Sequence, residues 1–419
     1  MTTPRKTARV SSHRTPSGIE IWHVEDYTVP LVSLEFAFMG GAAQDPTGQT
    51  GLTHLLSGLY DEGAGAMGAE AFKEALEDRA IELSFDAGRD RLDGSLRSLS
   101  SELDAAFDLL AASLNQPRFD ADAIDRVKAQ IVAGLKHKES DPASRARDAL
   151  YRRAFAGHSY HRSVDGVANE LATLTRDDLV RQHRHLVARA NLHIVAVGAI
   201  SPEKLIAGVE HAFGALPAKP TLVSLENAVL QGCGEREIVD LDIPQSTLYL
   251  ALQGLRRDDP DFLPASVMNF ILGGGMTSRL FIEVREKRGL AYSVWSSLAY
   301  KEHAQLFLCA TATSNERVAE SLCIIEGELA RMAETGLTAD ELTRAKSYMI
   351  GSYALRFDSS RKIANELLEI RIDNLGIDHI DRRNGQVQAV TLEQTHKAAI
   401  RLFANAKPLI VAAGRPVGL

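Results

Sequence analysis

The feature that most constrains this 419-residue sequence is the resemblance between its two halves. The segments VPLVSLEFAFMGG and IPQSTLYLALQG align Pro30 with Pro244 and share an alternation of apolar residues. The segments HIVAVG and LIVAAG, near the end of each half, align Gly198 with Gly414. The first pair is 214 positions apart and the second pair 216. A nearly constant offset over this distance predicts the duplication of one domain of about 200 residues.

The periodicity within each half indicates both strands and helices. Apolar residues that alternate along the aligned segments predict half-buried strands. Residues 71–83, 101–114 and 316–334 show the 3.6-residue period of amphipathic helices. Thr175, three residues before Asp178, and Thr338, before ADEL, are typical helix starts. Strands followed by helix pairs predict an α+β fold, with a mostly antiparallel sheet and helices packed on one face in each half.

The division of the chain follows from the duplication. We expect an N-terminal domain over residues 1–217 and a C-terminal domain over residues 237–419. The segment GALPAKPTLVSLENAVLQGCG lies between them and carries two prolines and little periodicity. It predicts an extended linker over residues 218–236.

Composition and charge exclude several classes of function. A net charge of −8 argues against nucleic acid or an anionic membrane as the main partner. The three cysteines form no CxxC pair, which argues against a disulfide scaffold or a cysteine zinc site. No apolar run is long enough to predict a membrane span. The basic start MTTPRKTARV lacks a following apolar segment, so no signal peptide is predicted. The compartment stays open between the cytoplasm and, if a leader has been removed, the periplasm.

The sequence lacks the common motifs of several enzyme classes. The sequence contains no HExxH, HxxEH, GxSxG or P-loop motif. His158 and His161 lie in AGHSYHRSVDG, where a loop-tethering role is a better interpretation than a zinc pair. The GGGM segment that begins at Gly273 lacks the spacing of a dinucleotide fingerprint and predicts a flexible or closely packed turn.

Two longer segments carry a specific resemblance. GGGMTSRLFIEVREKRGLAYSV, from Gly273 to Val294, resembles the second-domain signature of the M16 metallopeptidases, the pitrilysin, insulinase and mitochondrial processing peptidase family. GGAAQDPTGQTGLTHLLSGLYDEGAG, from Gly40 to Gly65, lies where that family places its zinc helix. The resemblance covers nearly the whole chain. It implies two homologous domains of the LuxS/MPP-like metallohydrolase type.

The zinc motif of the family is degenerate in this sequence. In HxxEH the two histidines bind zinc and the glutamate activates water. The matching residues here keep His54, but Ser57 replaces the glutamate and Gly58 replaces the second histidine. The family's third ligand, a glutamate on a later helix, aligns with Gly134 or Leu135. We therefore expect this chain to bind no metal and no other cofactor.

A displaced zinc site is a less favoured alternative. Its ligands would be His54, His137 and Glu139. His137 and Glu139 are better explained as solvated residues of a helix.

The second segment keeps its functional residues. In the family, an arginine and a tyrosine seven residues apart bind substrate and stabilise the transition state, and the resemblance places them at Arg285 and Tyr292. The spacing predicts Arg285 near the end of a helix and Tyr292 on the next strand. Guanidinium and phenol donors suit a peptide carbonyl that gains negative charge. The nearby Arg279 and Arg288 either support this site or lie on the helix surface.

The resemblance implies a zinc-less subunit of a heterodimeric M16B-type endopeptidase, inactive alone. A partner subunit with HxxEH would hold the zinc, and this chain would supply Arg285, Tyr292 and half of the chamber. The substrate would be a peptide or unfolded segment, bound as an added strand. The short loop from Gly273 to Thr277 argues against a dedicated presequence-binding role and favours a general bacterial peptidase.

Three alternatives remain open. One is a structural or assembly subunit, like the core subunits of the cytochrome bc complex, and a partner without HxxEH would favour it. Another is a homodimeric clamp that holds peptides without cutting them. The third is an active enzyme with an unusual metal site.

Overall fold

The computed structural model describes residues 9–419, so most of the basic start considered for a signal peptide lies outside the described residues. The chain divides into two compact units. Unit 1 contains the described residues through Leu135, together with Ser163–Ser224 and Ala354–Ile380. Unit 2 contains Lys136–Arg162, Leu225–Tyr353 and Asp381–Leu419. No helix in the described range is both long and apolar enough to cross a membrane.

The first half of the chain alternates strands and helices. Its strands are β1 Ser11–Arg14, β2 Glu20–Glu25, β3 Leu31–Met39, β4 Gly63–Ala64, β5 Met67–Gly68, β6 Glu82–Ala87, β7 Arg91–Leu99 and β8 Leu192–Gly198. Its helices are α1 Leu52–Ser57, α2 Ala69–Glu77, α3 Leu103–Asn115, α4 Ala121–Glu139, α5 Pro142–Ala154, α6 Ala168–Thr173, α7 Arg176–Leu186 and α8 Pro202–Phe213.

The second half has fewer strands and longer helices. Its strands are β9 Arg236–Asp240, β10 Gln245–Gln253, β11 Ala291–Tyr300, β12 Gln305–Ser314 and β13 Leu409–Gly414. Its helices are α9 Phe262–Gly273, α10 Val318–Thr335, α11 Ala339–Tyr353, α12 Ser360–Ile372, α13 His379–Ala389 and α14 Leu392–Phe403, with a π-helix over Phe281–Glu286.

The two main sheets have equivalent topologies. Sheet 1 has the order β1-β2-β8-β3-β7-β6 and sheet 2 the order β11-β12-β10-β13-β9. One pair in each is parallel, β2 with β8 and β9 with β13, and the others are antiparallel. Leu34 pairs with Ala196 in sheet 1, and Leu248 pairs with Ala412 in sheet 2. Leu248 follows Leu34 by 214 positions and Ala412 follows Ala196 by 216, which are the two offsets of the sequence repeat. The predicted α+β fold with two homologous domains is confirmed.

The matching strands β8 and β13 both end in a glycine, and the backbone conformation explains why. Gly198 and Gly414 both adopt φ +138, a conformation that side-chain-bearing residues rarely adopt. A Cβ at Gly198 would lie 2.1 Å from the carbonyl oxygen of Leu31. Both the backbone angle and the close approach therefore require glycine at this position.

A large apolar core fills one face of each sheet. In unit 1, Leu34, Phe36 and Phe38 of β3 pack against buried residues of α1, α3, α4, α7 and α8. In unit 2, Leu250 and Ile410 point into a core that includes residues of α9, α10 and α14. These are the faces on which the sequence predicts the helices.

The opposite face of each sheet carries one more helix, which comes from the other half of the chain. In unit 1, α12 buries Ala364, Leu367, Leu368 and Ile370 against sheet residues that include Trp22. In unit 2, α5 packs on β10 and β13. The two halves therefore exchange one helix each, so each unit is built from both halves.

Some of the local elements predicted from the sequence match the structure, and one predicted helix does not. Capping boxes begin α7 at Thr175 and α14 at Thr391. Thr338 and Glu341 make the same reciprocal bonds at the start of α11. The helix predicted over residues 71–83 is too long, because α2 ends at Glu77 and Ala80 takes φ +49. The residues that follow this turn enter β6, where Leu83 pairs with Leu96.

The segment predicted as a linker has no helix or strand between residue 218 and β9. Its first part is bound within unit 1, where the side chain of Gln44 pairs with both backbone groups of Val223. Its later part is bound within unit 2, where the N–H of Ala228 donates to the carbonyl oxygen of His303 at 2.7 Å.

Candidate functional site

The degenerate zinc motif lies on the short helix α1. Asp45 fixes the start of this helix by accepting from the backbone N–H groups of Gly51 and Thr53 at 2.9 and 3.0 Å. Gly51 has φ +94, and a Cβ there would lie 2.5 Å from Gly166. Leu55 and Leu56 are fully buried and anchor the helix in the core. The motif is therefore held in a rigid position.

The three motif positions cannot form a zinc site. Nδ1 of His54 is 3.2 Å from the carbonyl oxygen of Asp165. The hydroxyl of Ser57 donates to the carbonyl oxygen of His54 at 2.8 Å. Gly58 ends the helix and offers no side chain. A Cβ at Gly58 would approach Cγ1 of Val127 to 3.0 Å. One imidazole with no second or third ligand does not fit the tetrahedral coordination of zinc.

The aligned third-ligand positions supply no replacement. On α4, Gly134 faces open space and Leu135 packs against the core of unit 1. His137 and Glu139 are exposed on the last turns of the same helix. Across residues 9–419 no group of three or more histidine, cysteine, aspartate or glutamate side chains is arranged to hold a metal ion.

Of the two carboxylates that follow α1, Glu62 belongs to an ion-pair network. Burial raises the pKa of Asp61. Burial also opposes ionisation of Glu62, but its bonds to Lys73 and Arg126 outweigh this effect and lower its pKa. Lys73 lies 2.6 Å from Glu62, and Arg126 contacts its second oxygen. Glu62 is thus ionised and held in place by two cations.

The histidines of the AGHSYHRSVDG loop are engaged in local bonds. Nδ1 of His158 accepts from the backbone N–H of Tyr160 at 3.1 Å, and its Nε2 is 3.0 Å from the carbonyl oxygen of Glu226. Nδ1 of His161 lies 2.6 Å from the carbonyl oxygen of His158. These contacts tether the loop within unit 2.

The candidate site of unit 2 is formed by Arg285 and Tyr292. Arg285 lies near the end of the π-helix, and Tyr292 is the second residue of β11. Between them Gly289 takes φ +57, and its N–H donates to the carbonyl oxygen of Arg285 at 2.9 Å. The register of β11 on β12 shifts between Ala291 and Val294. Such a bulge redirects side chains, and Tyr292 is 83% exposed.

Arg285 is held between two aromatic rings. Its guanidinium carbon lies 4.7 Å from the ring centre of Phe281 and 4.7 Å from that of Tyr292. Cation–π contacts of this kind contribute about 0.5–1 kcal/mol at exposed sites. In the described part of the chain Arg285 forms no ion pair with a carboxylate. The two rings thus orient a guanidinium whose donors are not committed to an internal anion.

Phe281 was not identified from the sequence. It precedes Arg285 by four residues, which is close to one helical turn. That spacing was an available signal, and the helix over Phe281–Glu286 has π geometry: the N–H of Lys287 donates to the carbonyl oxygen of Ile282 at 2.9 Å. Short π-helical turns are often found at functional sites.

The two neighbouring arginines have structural partners. Arg279 donates to both carboxylate oxygens of Glu341 at 2.7 and 2.8 Å and to the carbonyl oxygen of Gly336 at 2.9 Å. The bonds from Arg279 lower the pKa of Glu341 to about 2. Arg288 pairs with Glu283 at 2.6 Å. Neither arginine is free in the way that Arg285 is.

The GGGM loop is closely packed at its start and exposed at its end. A Cβ at Gly273 would lie 2.4 Å from Oγ of Ser296, and one at Gly274 would lie 2.6 Å from Cα of Phe270. Met276, by contrast, is 77% exposed. The first glycines therefore allow α9 to pack closely against β11 and against itself.

The comparisons with known proteins agree on one family. Residues 23–166 match the family model described as Insulinase (Peptidase family M16), and residues 173–349 match the one described as Peptidase M16 inactive domain. A crystal structure of the peptidase M16 inactive domain from Pseudomonas fluorescens is 30% identical, with a TM-score of 0.92 and 98% of each chain covered. The chain belongs to peptidase family M16.

Among the other relatives, some are named as proteases and one as a non-peptidase homolog. The non-peptidase homolog YmxG of Helicobacter pylori is 26% identical, over 90% of this chain and 87% of the relative. The uncharacterized zinc protease YmxG of Bacillus subtilis is also 26% identical, over 92% and 94%. The crystal structure of a protease from Helicobacter pylori shares the fold, with a TM-score of 0.88, 16% identity and 97% and 99% coverage. With its degenerate zinc motif, this chain is an M16 protein of the inactive-domain type.

Proposed function

We propose that this chain is the zinc-less subunit of a heterodimeric M16B-type endopeptidase. A partner subunit carrying HxxEH holds the zinc, and this chain contributes Arg285, Tyr292 and half of the substrate chamber. The observation that carries the proposal is the guanidinium of Arg285, which lies 4.7 Å from the centres of two aromatic rings and is unpaired with any carboxylate of the described chain. A purely structural subunit has no need for such a group.

The chemistry of the pair suits a peptide carbonyl. Arg285 presents N–H donors in a fixed fork, and the phenol of Tyr292 offers one more donor. Donors oriented in advance stabilise negative charge that develops on a carbonyl oxygen during attack. The contacts of Arg285 with the two rings favour its position before the substrate binds, which reduces the reorganisation that binding requires.

The substrate class is an extended peptide or an unfolded segment. The sheet edges offer backbone groups that recognise such chains with little dependence on sequence. The edge strands of sheet 1 are β1 and β6. The edge strands of sheet 2 are β9 and β11. On β11, the counterpart of β6, the side chain of Asn269 already donates to the carbonyl oxygen of Ser296 at 3.2 Å. β6 is therefore more available to an added strand than β11.

The test measures zinc content and peptidase activity for this chain alone, for the HxxEH subunit from the same source alone, and for their mixture. We expect the chain alone to be free of zinc and inactive, and the mixture to be active. Arg285→Ala should lower kcat/KM of the mixture by about 100-fold, the cost of losing one transition-state donor. Tyr292→Phe should lower it to a smaller extent.

Matched variants separate this effect from general damage. Arg288→Ala removes an arginine paired with Glu283, and Tyr27→Phe changes a tyrosine that is 62% exposed in unit 1. Both should leave cleavage by the mixture unchanged. Full activity of the mixture with Arg285→Ala would refute the proposed role. A symmetric homodimer that holds peptide but never cleaves it would favour the clamp alternative.

A further inference from the structure

The face of sheet 1 beneath α12 contains a buried carboxyl group that the proposed function does not use. This group belongs to Glu35 on β3, a residue that is 5% exposed. In the sheet it pairs with Ser95 of β7 and with Val195 of β8. The helix that covers this face belongs to the segment Ala354–Ile380. The chain on both sides of that segment belongs to unit 2.

The carboxyl of Glu35 has few partners for a buried charge. The hydroxyl of Ser95 donates to it at 2.9 Å. The nearest cation is Arg361 of α12, whose Nε is 3.9 Å away and whose side chain is 53% exposed. Burial raises the pKa of Glu35 to about 7, and the nearby Asp93 acts in the same direction. An ionised Glu35 is therefore costly while α12 covers it.

The rest of the α12 contact does not depend on Glu35. Leu367 and Leu368 pack against apolar sheet residues that include Trp22. Nη1 of Arg91 donates to Glu369 at 3.0 Å, and Nη1 of Arg371 donates to the carbonyl oxygen of Ile194 at 2.9 Å. These contacts hold α12 over the carboxyl group of Glu35, which becomes hydrated whenever the helix is released.

We propose that α12 is a pH-sensitive clasp on unit 1, held more tightly when Glu35 is neutral and loosened when Glu35 ionises. The physical reason is that an ionised carboxylate recovers its hydration when the helix lifts, whereas a neutral carboxyl loses little by staying covered. The clasp adds a control of conformation that is independent of the proposed peptidase role.

Other titratable and charged groups face the same contact. They are Glu20 on β2, Arg91 and Asp93 on β7, His193 on β8, and Arg361, Glu369 and Arg371 on α12. Burial lowers the pKa of His193 to about 4, so His193 weakens the covered state as the pH falls from 6.5 toward 4. Titration of His193 therefore destabilises the covered state at low pH, whereas ionisation of Glu35 destabilises it at high pH. The test must separate these two effects.

The test compares amide hydrogen exchange of the full-length chain with that of Glu35→Gln at pH 6 and pH 8, by mass spectrometry of peptides from α12. Gln mimics the neutral carboxyl and can still accept from Ser95. With a pKa of about 7 when covered and an ordinary value of 4.5 when released, ionisation favours opening about tenfold more at pH 8 than at pH 6. The ratio of wild-type to variant exchange rates in α12 should therefore rise about tenfold. His193 is present in both chains and cancels.

The outcomes are distinct. Glu70→Gln, a matched change at an exposed position on α2, should give a ratio that does not change with pH. A rise confined to α12 peptides in Glu35→Gln supports the clasp. A ratio that stays constant with pH overturns it, as does a rise that appears equally in peptides of β3 and β8, since that would report unfolding of the whole unit.

Discussion

The helix exchange predicts that the two halves of the chain cannot fold separately. The perturbation is a split between Ser224 and Leu225, the point in the linker at which the chain passes from unit 1 to unit 2. The N-terminal fragment then lacks α12, and the C-terminal fragment lacks α5. Each sheet loses the helix that covers its second face, although all of its strands remain.

The magnitude follows from the buried side chains of α12. Leu367, Leu368 and Ile370 are no more than 3% exposed. Burial of a Leu or Ile side chain contributes about 1.5–3 kcal/mol, so the three contribute about 4.5–9 kcal/mol. Domains have a total stability of about 5–15 kcal/mol. Loss of α12 also exposes apolar residues of the sheet, including Trp22 and Val195, in a patch that promotes aggregation.

The assay is expression of each fragment alone and of both together, followed by size-exclusion chromatography and thermal unfolding. We expect each fragment alone to be insoluble or non-cooperative, and the pair to co-purify with a cooperative transition. The control joins residues 354–380 to the N-terminal fragment through a Gly/Ser linker and should restore folding. A soluble N-terminal fragment with a cooperative transition and no added helix would refute the reasoning.

Three further predictions concern single sites. Gly198→Ala should lower the free energy of unfolding by about 1–3 kcal/mol, because of its φ of +138 and the 2.1 Å approach to a carbonyl oxygen. The control Gly134→Ala, at an open helical position, should stabilise by about 0.5–1 kcal/mol, and denaturant titration measures both. Restoring HxxEH with Ser57→Glu and Gly58→His should not give stoichiometric zinc by metal analysis, since α4 supplies no third ligand; one tightly bound zinc per chain would contradict this. Glu341 has a pKa lowered to about 2, so it stabilises the fold above pH 4.5 and this stabilisation is lost as the pH falls toward 2. Glu341→Gln should therefore flatten the acid limb of a Tm-against-pH curve, and an unchanged limb would count against the ion pair.

The site was only partly accessible from the sequence. The spacing of Arg285 and Tyr292, the loss of the water-activating glutamate at Ser57 and the loss of the second zinc ligand at Gly58 are local facts, and a linear pattern records them fully. By contrast, the sequence does not show that Arg285 differs from Arg279 and Arg288 in having no carboxylate partner. All three arginines look alike in sequence, and only the packing shows that two have carboxylate partners while the third lies between two rings.

The end of α2 shows the same limit at the level of secondary structure. The helical period continues past Glu77, but tertiary pairing of Leu83 with Leu96 draws the following residues into a strand. Local propensity is weak compared with the burial of a strand in a sheet.

The sequence by itself determined the duplication, the α+β class and the degenerate zinc motif, because each depends on residue type and spacing along the chain. The tertiary structure alone decided which half covers which sheet. The buried faces of α5 and α12 are apolar in the same way as those of any amphipathic helix, and such a pattern states that a face is buried but not against what. The exchange of these two helices, and the covered Glu35 beneath one of them, arise from contacts between residues far apart in the sequence, such as Glu35 and Arg361.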